Sequence, residues 1–252
     1  MRRANLHNKR ARTTDLDKSK TRAPTAPALP TILLTGFDAF GGDTVNPSWL
    51  AVQALQGEAI GGHRVIAAQL PTEFAASTKV LKRLLRQHQP ALVIAVGQAG
   101  GRSTLSLERV AINIQDARIA DNADAQPVDL PVIKRGPAAY FSTLPIKAMQ
   151  QAIENEGVPA EISQTAGTFV CNHVFYALMH QLHAAASASA ANTQSKRTRL
   201  QAPRGGFIHV PYLPEQGTPH LALNDMIRGL RAACVCALNT LQDIARSAGA
   251  LS

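Results

Sequence analysis

The sequence predicts an α/β protein: a single domain built as a three-layer α/β/α sandwich, with a mostly parallel, twisted central sheet. Three observations carry the prediction. Short apolar runs of strand length alternate with stretches whose apolar residues recur at helical spacing, and such alternation lays strands side by side with helices on both faces. Glycine-rich turns follow two of the runs, at the edge where sheets of this kind bind ligands. Finally, 252 residues that are 45% apolar and 17% charged exclude a disordered chain and suffice for one core without disulfide staples.

The elements follow in order. Residues 31–37 read as the first strand. Asn46 before Pro47 reads as a helix N-cap with proline at the first helical position, opening a helix over 46–56. A strand over 65–70 and a helix over 73–88 come next, the helix striped by Val80, Leu81, Leu84 and Leu85. Strands over 91–97 and 105–114, a helix over 145–156, a strand over 160–163, a helix over 171–184 and a strand over 206–210 continue the alternation. The last helix, over 219–245, carries Ile227, Leu230, Cys234, Leu238 and Leu241 on one stripe. No linker interrupts 31–183, so the expected domain spans 31–252.

The net charge of +9 is confined to two places. Residues 1–30 carry +6 and residues 184–206 carry +4, leaving −1 for everything else. Neither segment has apolar periodicity. The first is read as a basic, disordered tail, and residues 184–204 as a flexible basic insertion. With 4% aromatic residues and no reading motif, specific nucleic-acid binding is not expected. Three cysteines, an odd number, make no disulfide framework and point to a reducing, cytoplasmic setting. No run of about 18 apolar residues predicts a membrane span, and the basic N-terminus lacks the apolar stretch of a secretory signal. The turns 36–42 and 97–102 hold neither GxGxxG nor Gly-Lys-Ser/Thr, so no nucleotide cofactor is expected. Cys234 and Cys236 lack a second ligand cluster, so no zinc is expected either.

Three residues could carry chemistry. Cys171 follows Gly167 and opens an apolar-striped helix, where free N–H groups and the helix dipole favour thiolate and can hold an oxyanion. A buried core cysteine is the competing reading, and position alone does not decide between them. His209 ends a short apolar run, where a buried polar group needs a partner; a cysteine is one, which would make His209 a base. Glu108 follows the second glycine-rich turn. It is either a surface carboxylate of an edge strand paired with Arg109 or the group that orients a histidine, and spacing alone favours the former.

Four blocks in order resemble the pyroglutamyl-peptidase I family of cysteine peptidases. They are Thr35-Gly-Phe-Asp-Ala-Phe-Gly-Gly42 with Asn46-Pro-Ser48; Gly97-Gln-Ala-Gly-Gly-Arg102 through Glu108 to Asn113; Ile162 through Cys171-Asn172; and Gly206-Phe-Ile-His209-Val-Pro-Tyr-Leu-Pro-Glu-Gln216. The resemblance covers about 31–183 and 205–245. It implies an exopeptidase that removes an N-terminal pyroglutamyl residue through a thioester, without metal or cofactor. Cys171 is then the nucleophile, His209 the base and acid, Glu108 the orienting carboxylate and Arg118 an active-site support. Phe37, Phe40, Phe169 and Val170 would line the ring slot, with Gln98 on the ring amide and Asn46 in a nearby turn. The family contains oligomers, so a dimer or tetramer is implied. Ala39 and Ala120 stand where the family often has proline, and both basic segments are additions. The other functions considered are a related thiol amidohydrolase with a different acyl pocket and a non-catalytic basic binding protein.

Overall fold

The structure is a computed structural model that describes Met1, residues 29–191 and residues 203–249, the side chains of 189–191 excepted. The expected tail (apart from Met1, Leu29 and Pro30) and residues 192–202 of the expected insertion lie outside the described residues.

The chain runs β1 (Thr31–Phe37), α1 (Pro47–Ala54), β2 (Ala59–Ile60), β3 (His63–Leu70), α2 (Phe74–His88), β4 (Leu92–Gln98), β5 (Leu105–Glu108), β6 (Val110–Ile112), β7 (Ala139–Phe141), α3 (Ile146–Asn155), β8 (Ala160–Ser163), α4 (Val170–Ala191), β9 (Arg204–Val210) and α5 (Leu223–Asn239). Seven strands form one sheet in the order β2-β3-β1-β4-β9-β5-β8. β3, β1, β4 and β9 are mutually parallel; β5 runs antiparallel to β9 and parallel to β8, and β2 is antiparallel to β3.

Side chains alternate across a strand, and the sequence is apolar on both faces through the middle of this sheet. Ile32, Leu34, Ile94, Val96, Leu107 and Ile208 pack under α1, α3 and α5. Leu33, Phe37, Val93, Ala95 and Phe207 pack under α2 and α4. The layers are therefore those the sequence predicts. Each large side chain buried here stabilises the fold by about 1.5–3 kcal/mol. The α2/α4 face is the one that carries the site.

Most boundaries fall within two residues of expectation, and three elements depart further. The strand expected over 105–114 breaks at Arg109, whose N–H donates to Ser163 O while its C=O accepts from Ser142 N–H. That switch of partners sends β6 into a separate two-stranded sheet with β7. The helix expected to stop at 184 continues to Ala191, through a run of alanines, the best helix former; residues 184–191 of the expected flexible insertion are therefore helical. The last helix is shorter than expected, and Leu241 lies beyond it, exposed.

Candidate active site

β9 places Phe207 and His209 on the α2/α4 face, and the antiparallel register sets Glu108 opposite Phe207 and Ser106 opposite His209. Glu108 and His209 are thus diagonal neighbours on one face, within reach of long side chains. His209 Nδ1 lies 2.7 Å from Glu108 Oε1, and both residues are buried. A carboxylate oxygen facing Nδ1 suits the tautomer with the proton on Nδ1, which leaves Nε2 as the ring nitrogen open to another partner. Glu108 is not an edge-strand carboxylate. β5 lies between β9 and β8, and Arg109 turns instead to Gln164 Oε1 and Ala248 O. The cation on Glu108 is Arg102, whose Nη1 donates to the same Oε1 at 2.8 Å. Glu108 Oε2 is buried without a hydrogen-bond partner among the described residues.

α4 starts where the sequence places it. Gly167, with φ of 74°, turns the chain in a region that favours glycine. Thr168 ties that turn to Asp116 O, and Phe169 O accepts the first helical bond from His173 N–H. Cys171 is therefore in the first turn of α4, where backbone N–H groups lack helical partners. A Cβ placed on Gly97 would lie 2.8 Å from Cys171 Sγ and 2.8 Å from Phe207 Cζ, so the sulfur rests directly over the bare backbone of β4. Gly97 is the register partner of His209, which brings sulfur and imidazole to adjoining strands at one sheet edge. Cys171 makes no hydrogen bond to His209 here; the histidine's partner is Glu108, the carboxylate that the resemblance assigns to orient it.

The thiol is half-buried, and burial pushes its pKa up to about 12; the charge of Glu108 adds to the rise and Arg102 opposes it. Burial therefore works against the thiolate that a helix N-terminus favours. His173, two residues on, turns away to Thr78 Oγ1 and the edge of Phe74, and burial holds its pKa down to about 4.

Around this centre Phe40 and Phe169 are half-buried rings 6.0 Å apart, with Phe74 edge-on behind Phe169 at 5.4 Å. Phe37 and Val170 are closed off at 2% and 0% exposure, so they back the rings instead of presenting surface. The Gln98 side chain is held within the protein: Nε2 donates to Asp43 Oδ2 at 3.0 Å and Oε1 accepts from Gln216 Nε2 at 3.3 Å. Asn46 caps α1 as expected, accepting from Ser48 N and Oγ, and its Nδ2 donates to Asp38 O, fixing the 38–46 turn. Arg118 is exposed, with neither hydrogen bond nor ion pair among the described residues. Its loop is nevertheless pinned over the turn at Asp38 and Ala39: Asp121 Oδ2 accepts from Phe74 N–H, and Asn122 Nδ2 donates to Ala39 O.

Sequence reasoning missed Arg102 and Gln216, which stand inside the quoted blocks, and Asp43, which directly follows the first of them. It also missed Asn172, whose buried amide bonds Ile112 N, Ile112 O and Ile114 O and fastens the start of α4 to β6. Among the described residues no three His, Cys, Asp or Glu side chains gather as metal ligands do, and no helix is long and apolar enough to cross a membrane.

Comparison with known proteins gives a consistent picture. Residues 30–240 match the model of the family described as pyroglutamyl peptidase. The chain is 54% identical over 228 residues to the pyrrolidone-carboxylate peptidase of Cupriavidus taiwanensis, covering 88% of this chain and 100% of that protein. The crystal structure of pyroglutamyl peptidase I from Bacillus amyloliquefaciens superposes with a TM-score of 0.77 at 46% identity, covering 85% of this chain and 100% of that one. The pyrrolidone carboxyl peptidase of Thermococcus litoralis gives 0.77 at 33% identity, with 87% and 100% covered.

Proposed function

The chain belongs to the pyroglutamyl peptidase family, and on that premise we propose that it hydrolyses the amide bond after an N-terminal pyroglutamyl residue, with Cys171, His209 and Glu108 as its catalytic machinery. The observation that carries the proposal is the buried 2.7 Å bond between Glu108 and His209 Nδ1, on the sheet face where the Cys171 sulfur covers Gly97.

A neutral thiol needs its proton removed as it attacks. His209 Nε2 accepts that proton while sulfur adds to the pyroglutamyl carbonyl carbon, and Glu108 offsets the charge on the imidazolium. The oxyanion meets the free N–H groups of the first turn of α4, where losing one donor costs about 3 kcal/mol. Arg118 supports the same region from the pinned loop. The C–N bond then breaks, His209 returns the proton to the leaving amine, and a thioester remains. Water attacks the thioester carbonyl as His209 takes its proton; the C–S bond then breaks, His209 returns that proton to the departing sulfur, and pyroglutamate is released. No step requires a cofactor.

The substrate ring is a flat, neutral lactam. The Phe40 and Phe169 faces supply apolar contact, with Phe37 and Val170 behind them and Gln98 and its neighbours beside the ring amide. A site built to bond the lactam N–H and C=O rejects proline, which lacks the carbonyl, by several orders of magnitude. The test compares pyroglutamyl and prolyl fluorogenic amides before and after iodoacetamide. Turnover of the first alone, lost on alkylation of Cys171, is expected. Equal turnover of both would point to a thiol amidohydrolase with another acyl pocket, and activity that survives alkylation would remove the cysteine from the mechanism.

A further inference from the structure

We infer that Arg102 is a positioning residue for the reaction: by sharing Glu108 Oε1 with His209 it holds the imidazole in its neutral, proton-accepting form, and by gripping Thr165 it fixes the loop that presents Cys171. The inference rests on the proposed roles of Cys171, His209 and Glu108.

The geometry is a fork across three elements. Arg102, on the turn between β4 and β5, donates from Nη1 to Glu108 Oε1 at 2.8 Å and from Nη2 to Thr165 O at 3.3 Å. His209 Nδ1 reaches that same Oε1 at 2.7 Å. The guanidinium and the imidazole are therefore separated by little more than one oxygen atom. Glu108 is wholly buried, whereas the Arg102 side chain keeps 26% of its surface.

Charge counting gives the consequence. A buried carboxylate with a histidine alone reaches zero net charge when the imidazole is protonated, and a buried site favours that state. An imidazolium cannot take the thiol's proton. With Arg102 present, the carboxylate is already balanced, and zero net charge is reached with a neutral imidazole. The other elements around His209 do not supply this cation. β4 offers Gly97 opposite it and no ionisable group; β8 offers Glu161, held by Ser106 Oγ at 2.7 Å; and α4 offers Cys171. The α1 helix, beneath the opposite sheet face, carries no charge. The same positive charge also opposes the rise in the Cys171 pKa.

The test is the pH profile of kcat/KM for a pyroglutamyl fluorogenic amide, with full-length wild type and the variants Arg102→Met, Arg102→Gln and Arg102→Lys. The acid limb reports the base of the free enzyme. Removing a cation this close raises that limb by about one pH unit, a shift typical of a neighbouring charge. Turnover at pH 6 should therefore fall about tenfold more than turnover at pH 8. Arg102→Gln, which keeps a donor for Oε1 without the charge, should show the same shift, so the test survives if the Met variant fails to fold. Arg102→Lys should return the limb to its wild-type position. A limb that stays in place in the Gln variant, with activity lost evenly across pH, would reduce Arg102 to a structural tie and overturn the inference. Cys171→Ala, measured alongside, separates the two readings: if it stays active, the proposed function fails whatever Arg102 does.

Discussion

Gly97→Ala is the substitution that probes the seat of the sulfur. Its methyl would stand 2.8 Å from both Cys171 Sγ and Phe207 Cζ. Carbon contacts settle at about 3.5–4.0 Å, so both contacts must open by about 1 Å. Phe207 is hemmed in by Phe37 and Phe175, with ring centroids at 6.4 and 5.8 Å, whereas Cys171 is half-buried at a helix end. The ring can tilt only slightly, and the sulfur yields most. A displacement of about 1 Å at a reacting atom costs about 10²-fold in rate. Overpacking costs about 1–3 kcal/mol of stability, or a few degrees in Tm for each kcal/mol in a domain of this size. The rings of Phe40 and Phe169 are not touched, so KM should stay within a few-fold while kcat falls about a hundredfold. Steady-state kinetics on a pyroglutamyl amide, with a thermal melt alongside, read both effects. A kcat within threefold of wild type would refute the argument that the sulfur depends on bare backbone at residue 97.

Three further outcomes are expected. Burial pushes the Cys171 pKa up to about 12; if the thiol carries its proton until attack, kcat/KM should fall about two- to threefold in deuterium oxide, and a ratio of one would indicate a thiolate formed before substrate arrives. His173 is neutral in the fold, with its pKa held down to about 4, while the unfolded chain protonates near 6.5. The stability it allows is complete above pH 6.5 and is lost as pH falls toward 4, by at most about 3 kcal/mol. His173→Gln should therefore flatten the melting temperature between pH 7 and 5, and parallel curves for variant and wild type would contradict this. Asn172→Ala leaves the Ile112 N–H and two carbonyls without their partner and should lower stability by about 2–4 kcal/mol in urea unfolding, whereas a loss under 0.5 kcal/mol would mean that water replaces the amide.

Much of the fold is legible because its signals are local. The apolar run at 31–37 and the Asn46-Pro47 cap give the first strand and helix directly. The break at Arg109 is not local. Leu105, Leu107 and Ala111 look like one alternating strand, and only the distant partners Ser163 and Ser142 divide it. β2 and β7, with two and three residues, carry no period to read. At the site, sequence order puts Arg109 beside Glu108, but strand alternation turns them to opposite faces, and the glycine-rich turn brings Arg102 back instead. The charge state of Cys171 is likewise hidden, because desolvation depends on what packs around the first turn of α4. Arg118 is reached only through the resemblance, and it remains solvent-facing here.

The central claim is that acyl transfer passes through one sulfur. Rapid mixing with a pyroglutamyl ester, acid quenching and peptide mass analysis measure it directly. The account predicts one pyroglutamyl group on the peptide containing Cys171, absent from Cys171→Ala. An adduct on the peptide bearing Cys234 and Cys236, or steady turnover by Cys171→Ala, would contradict it.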